Sequence, residues 1–146
     1  MNESEKQIGI IHAGISKGLT TYYYDLIFTT SRVVFANTGR VGIWFLLITG
    51  LLIGGIIAIS KRNGMQRNYL NKSLEDIINL SGENYAVPYS EITLIRVSGK
   101  KKLEIITNNN KKSFVFLGSK IAAVSTDQFN EYIKIIKSAA PDKLIL

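Results

Sequence analysis

The stretch RVGIWFLLITGLLIGGIIAISKR, Arg40–Arg62, holds no charged residue between Arg40 and Lys61. Its apolar interior, Val41–Ile59, is nineteen residues long. At ~1.5 Å per residue a straight helix of that length reaches ~28 Å, close to the thickness of a bilayer's hydrocarbon core. Trp44 stands near one end, where an interfacial indole belongs, and Lys61 and Arg62 close the other. Val41, Trp44, Phe45, Leu46, Leu47, Leu51, Leu52, Ile53, Ile56 and Ile57 are expected to be embedded in the membrane. Whether this block crosses the bilayer, dips into it or is buried in protein decides how the rest of the chain can fold.

The sequence on both sides of the block reads as short strands. Lys6–Ala13 is apolar and β-branched, and AGISKG is expected to break it. In TTYYYDLIFTT, Tyr22, Tyr24, Leu26 and Phe28 alternate with Tyr23, Asp25, Ile27 and Thr29, the period of two that marks a strand. RVVFANTG reads as its hairpin partner, closed by turn chemistry at Asn37-Thr38-Gly39. Beyond the block, KRNGMQRNYLNK reads as a loop or frayed helix. Ser73 is placed to cap a short helix over about 73–80, with Leu74, Ile77 and Ile78 as its apolar stripe. NYAVP, Glu91–Val97, KKKLEIIT and KKSFVFLG then form a meander, with Asn108–Asn110 as a tight turn. Ser125 and Gln128 resemble a capping box, and Phe129, Tyr132, Ile133 and Ile136 line one face of a terminal amphipathic helix.

The strand count restricts the apolar block. A single crossing would leave the Tyr22–Asn37 hairpin on one side of the bilayer and the later strands on the other, and a lone hairpin is marginal in water. A re-entrant helical hairpin turning at Gly54 and Gly55 keeps all the strands together. Half-helices of eight to ten residues reach only ~12–15 Å, so such a hairpin dips into one leaflet. Its turn needs protein or water to satisfy the backbone. Gly50-x-x-x-Gly54 adds a small-residue face for self-association. The other open reading is a soluble homo-oligomer with the block buried at the subunit interface.

About seven antiparallel strands followed by one amphipathic helix resemble the plan of bacterial and archaeal PH-like and GRAM-like domains. YYYDLIFTTSRVVFAN is similar to their early hairpin, VPYSEITLIRV to their I-P-Y-x-E-I strand, and FNEYIKIIKSAAPDKL to their closing helix. Some archaeal proteins of this kind also carry a glycine-rich apolar insert between the early hairpin and that strand. The resemblance implies a mainly β (α+β) barrel over residues 1–146, interrupted at 40–80 by the insert, a basic loop and the short helix. It further implies a non-enzymatic scaffold, often at a membrane.

Composition restricts the chemistry. The chain has no cysteine, which removes disulfides and thiolate sites. His12 is the single histidine, read as a structural or surface residue. No Walker loop, H-E-x-x-H, G-x-S-x-G or dinucleotide fingerprint occurs, so neither enzyme activity nor a cofactor or metal is expected. Asp25 and Glu91 sit in strand-like runs with nothing to pair them as acid and base. MNESEKQIGI lacks a basic stretch followed by an apolar one, so no cleavable signal peptide is expected.

Residues 61–146 carry fourteen Lys/Arg against eight Asp/Glu, within a net charge of +7. That balance favours acidic partners. Lys61, Arg62, Arg67, Lys100, Lys101, Lys102, Lys111 and Lys112 are the candidate contacts for anionic lipid or a protein partner. Arg67 and Lys72 add to Lys61 and Arg62 after the block, against Arg32 and Arg40 before it, which puts the barrel on the cytoplasmic side. Nucleic acid is not an expected partner, because the alternating aromatics are core residues and form no stacking platform.

Overall fold

The computed structural model describes residues 4–42, 63–69, 72–99, 101–118 and 123–146. Strands β1 (Gln7–Lys17), β2 (Thr20–Thr29) and β3 (Arg32–Gly42) form two successive hairpins. Residues 63–69 are helical, and helix α1 (Leu74–Leu80) follows, with the Ser73 hydroxyl accepting from the Asp76 N–H at 3.1 Å as its cap. Strand β4 (Tyr85–Pro88) leads through a 3₁₀ turn at Tyr89–Glu91 into β5 (Ile92–Ser98), β6 (Lys102–Thr107) and β7 (Lys111–Phe116). Helix α2 (Thr126–Ala139), capped by Ser125, and the two-residue strand β8 (Leu144–Ile145) complete the chain.

All eight strands belong to one sheet, in the order β4-β3-β2-β1-β7-β6-β5-β8. The fold is thus mainly β with helices packed on it. The sheet curves strongly, because inward residues from both halves share one core: Leu26 and Phe35 from β2 and β3, Ile95, Leu103 and Phe114 from β5, β6 and β7. Phe35 stacks on Tyr85 with centroids 4.5 Å apart and lies 5.8 Å from Phe114, which joins β3 to β4 and to β7 across the fold. Tyr132, Ile133 and Ile136 of α2 close this core. Each large apolar side chain buried there contributes about 1.5–3 kcal/mol.

A second, smaller core covers the opposite face of the early strands. There Ile27, Val34 and Ala36 pack against Tyr69 and Ile77. Strands β2 and β3 are therefore buried on both faces, and the residues alternating with the aromatics of β2 face protein instead of water.

Several expectations need correction. β1 does not break at AGISKG but continues to Lys17, because Tyr22 and Tyr23 supply ladder partners for Ile15 and Gly14. Asn37-Thr38-Gly39 is not a chain reversal. It is a β-bulge within β3: Tyr23 faces Gly39, Tyr24 faces Asn37, and Thr38 is the extra residue. The Asn37 side-chain oxygen accepts from the Gly39 N–H at 3.1 Å, and Gly39 has a φ of 147°, a value that disfavours other residues. Val41, expected at the start of the membrane block, lies in β3 opposite Thr21 and is buried. Glu91 lies in the 3₁₀ turn instead of a strand.

Among the described residues the strands number eight, against the seven or so expected, and β8 runs parallel to β5 in an otherwise antiparallel sheet. The sheet is not closed into a barrel; its hydrogen-bonded order has β4 and β8 as edges. The expected embedded residues Trp44, Phe45, Leu46, Leu47, Leu51, Leu52, Ile53, Ile56 and Ile57, with the suspected turn at Gly54 and Gly55, lie outside the described residues.

Helix α2 approaches β1 closely. A Cβ built on Gly9 would stand 2.5 Å from the Ile135 Cγ1, and Ile135 is β-branched and cannot swing its inner carbons away. Gly9→Ala is therefore expected to lower stability by about 1–3 kcal/mol, the usual cost of overpacking. Combining it with Ile135→Ala should recover part of that loss. Urea unfolding of the two single variants and the double variant measures the coupling.

Candidate functional site

Three places in the described structure concentrate polar chemistry. The first lies where the two flanks of the apolar block meet. Gly39 and Arg40 of β3 line the same cavity, of about 640 Å³, as Gly64, Met65 and Asn68 of the helical segment. Ser81 and Glu83 complete its rim, and Arg40 reaches Glu83 at 3.7 Å. A buried polar knot holds the flanks in place. The Tyr69 hydroxyl donates to the Asn37 carbonyl, and Asn84 Oδ1 accepts from the Asn37 N–H at 2.8 Å. Asn84 Nδ2 donates to the Ile77 carbonyl at 2.7 Å and to the Tyr69 hydroxyl at 3.1 Å. One amide thus ties together the β3 bulge, the end of the 63–69 segment and α1. Burial pushes the Tyr69 phenol above its ordinary value, so it stays a neutral donor here.

Beside that knot, the Thr38 hydroxyl is fully buried and has no hydrogen-bond partner among the described residues.

The second place is a cavity of about 690 Å³ on the outer face of β1 and β2, roofed by residues 63–69 and by α1. Ile10, Ile27, Leu74 and Ile77 form its apolar part. At its polar end, His12 and Asp25 stand opposite each other in the β1–β2 ladder, with Nδ1 2.6 Å from Asp25 Oδ1. Gln66 Nε2 donates to both Asp25 oxygens, at 3.3 and 3.0 Å. Asp25 is thus held by His12 and Gln66, partners that the sequence did not indicate. Lys72 lies on the rim, as does Glu5, which is committed to a fork with Arg32 at 2.9–3.2 Å. Burial alone would raise the Glu5 carboxyl; hydrogen bonds from Arg32, Thr29 and Ser31 outweigh it and hold the group below 4.5.

The third place gathers the lysines of the meander, and it splits them. Adjacent residues of a strand point to opposite faces. Lys111 joins Lys102 and Arg96 around the Glu104 carboxylate, at 3.4, 2.8 and 3.1 Å. Lys112 turns to the inner face, where its ammonium donates to the Tyr85 hydroxyl at 2.7 Å and lies 4.2 Å from the ring centroid. Burial draws the Lys112 ammonium below its ordinary 10.5, and the charge of Lys17 adds to this. Arg67 and Lys101 are exposed. Lys61, Arg62 and Lys100 lie outside the described residues. The structure thus brings Lys102 and Lys111 together, on an acidic partner, and separates them from Lys112.

Among the described residues no group of three or more His, Asp or Glu side chains could hold a metal ion, and no helix is long and apolar enough to cross a membrane. The His12–Asp25–Gln66 cluster was not expected from the sequence, because Gln66 joins it from 41 residues beyond Asp25. Comparison with known protein families, with curated proteins and with solved structures finds no match for this chain.

Glu104 gives a prediction. Hydrogen bonds from Lys102 first, and then from Lys111, hold its carboxyl below the ordinary 4.5 against the opposing effect of burial. A carboxyl lowered in the folded state stabilises fully above its unfolded pKa, and that contribution fades as pH falls through the folded value. Glu104→Gln should accordingly melt at a lower temperature than the parent near neutral pH. The two melting curves should converge below about pH 4, which calorimetry across pH reads directly.

Proposed function

We propose that the chain is a non-enzymatic binding module, PH-like in plan, held at a membrane by its apolar block. The observation that carries the reading is the meeting of the block's flanks: Arg40 and Gly64 line one cavity, and the Asn84 knot fixes β3 and residues 63–69 to each other. A segment whose two ends are joined in one folded body leaves that body and returns to it on the same side of a bilayer. Val41 and Gly42 belong to β3, and the remaining apolar residues, 43–59, are then used as a dip into one leaflet. Both flanks are basic, with Arg32 and Arg40 before the block and Lys61, Arg62, Arg67 and Lys72 after it, which favours the cytoplasmic side for the folded body.

Support for a PH-like plan comes from seven antiparallel strands curved around one core and from a C-terminal helix packed over it. The partner surface begins with Arg67, which is exposed on the segment that follows the block. A basic side chain close to anionic lipid is worth about 1 kcal/mol, roughly a fivefold change in affinity. Lys102 and Lys111 contribute less, because Glu104 already neutralises part of their charge.

Cysteines placed at Arg40 and at Asn68, both exposed, test the topology in a chain with no native cysteine. Thr38 is unsuitable because it is fully buried. A membrane-impermeant thiol reagent should label both positions from the same side of sealed vesicles. Labelling from opposite sides would overturn the proposal, as would recovery of the whole chain as a monodisperse soluble protein without detergent. Arg67→Gln should weaken binding to phosphatidylserine vesicles about fivefold at low salt, in a flotation assay, whereas Lys111→Gln should change it less.

A further inference from the structure

We infer that the cavity beneath residues 63–69 is a binding site for a small neutral amphiphile that carries a hydroxyl or amide hydrogen-bond donor. The inference rests on the His12 end of that cavity and is independent of the membrane tether.

The chemistry follows from which hydrogen-bonding capacity is already used. A carboxylate only accepts, so the 2.6 Å contact fixes a proton on His12 Nδ1. In the neutral imidazole that leaves Nε2 as an acceptor with its lone pair free. No hydrogen bond occupies Nε2 among the described residues, and His12 lines the cavity. The group that completes it must bring a donor hydrogen.

Charge narrows the class further. Asp25 is buried beside the imidazole, so a carboxylate or phosphate head at this end would meet a like charge. A cation would need Asp25, whose oxygens already accept from His12 and twice from Gln66. A neutral O–H or N–H group conflicts with neither. Past the dyad, Ile10, Ile27, Leu74 and Ile77 offer an apolar bed for the rest of the molecule. The volume of about 690 Å³ lies within the range of small-ligand pockets.

His12, the single histidine, is its own reporter. The full chain, with ¹⁵N-labelled histidine and held in neutral-lipid nanodiscs, is titrated with 1-octanol and separately with octanoate. The imidazole signal reads this cavity whether or not the chain stays on the disc, so the site and the tether are judged separately. The expected result is a saturable shift of the Nε2 resonance with 1-octanol and at least tenfold weaker binding of octanoate. Two variants complete the test. His12→Phe, followed through the Ile27 and Ile77 methyl signals, should bind at least tenfold more weakly. Leu74→Trp, which fills the apolar bed from α1 and leaves the dyad in place, should abolish the shift. Equal response to the two probes, no saturable shift, or binding undiminished in Leu74→Trp would overturn the assignment.

Discussion

Two-sided burial of β2 and β3 is the constraint from which the remaining placements follow. Tyr24, Leu26, Phe28 and Phe35 need an apolar cover on one face, and Ile27, Val34 and Ala36 need another on the reverse. The inner requirement is met by curling the sheet until β5, β6 and β7 face back across the core and α2 closes the gap. The outer requirement is met by residues 63–69 and α1, which lie in the β3–β4 connection. That connection is therefore part of the packing and not a loop hung from a sheet complete without it.

Burial on both faces makes an unpaired polar group there cost about 1–3 kcal/mol; Thr38 is left so among the described residues, and its neighbours are paired. The Asn84 amide serves three buried groups at once, and the Asp25 carboxylate is held by His12 and Gln66. Both clusters bind the 63–69 segment to the sheet. The residues that satisfy the fold's polar debts are thus the same ones that orient the flanks of the apolar block and build the wall of the outer cavity.

Much of the architecture was legible from residue patterns. The alternation in TTYYYDLIFTT, the Asn108–Asn110 turn and the Ser125 cap all mark real elements, because each depends on local geometry. Failures came where tertiary partners override local chemistry. Asn37-Thr38-Gly39 has turn composition, yet pairing with β2 before and after Thr38 keeps the chain extended and turns it into a bulge. Gly14 looked like a breaker, yet Tyr23 pairs with it. The His12–Asp25 pair was recoverable in principle: counting back from a hairpin turn at Gly18-Leu19 sets those two residues opposite each other. Gln66 carried no such signal, because its position depends on how residues 63–69 dock on the outer face. Nor did spacing show that Glu104 would gather Arg96, Lys102 and Lys111, since that depends on the register of three strands.

The strand order also sets how the chain can assemble. β1, β2 and β3 are joined by hairpins, and so are β5, β6 and β7, so each half is built from contacts close in sequence. The seam between them is of another kind: Ala13 pairs with Phe116 and Gly14 with Val115, about a hundred residues apart along the chain. Loop-closure entropy falls most heavily on that ladder. Tyr132 of α2 sits across it, accepting from the His12 N–H at 3.4 Å and donating to the Leu117 carbonyl at 2.7 Å. Synthesis delivers this clasp only after everything before α2 has been made, so until then the inner face of the first hairpins has no partner across the core. The joining of the two halves of the sheet is therefore the last step the order of synthesis allows, and every residue up to α2 must wait for it.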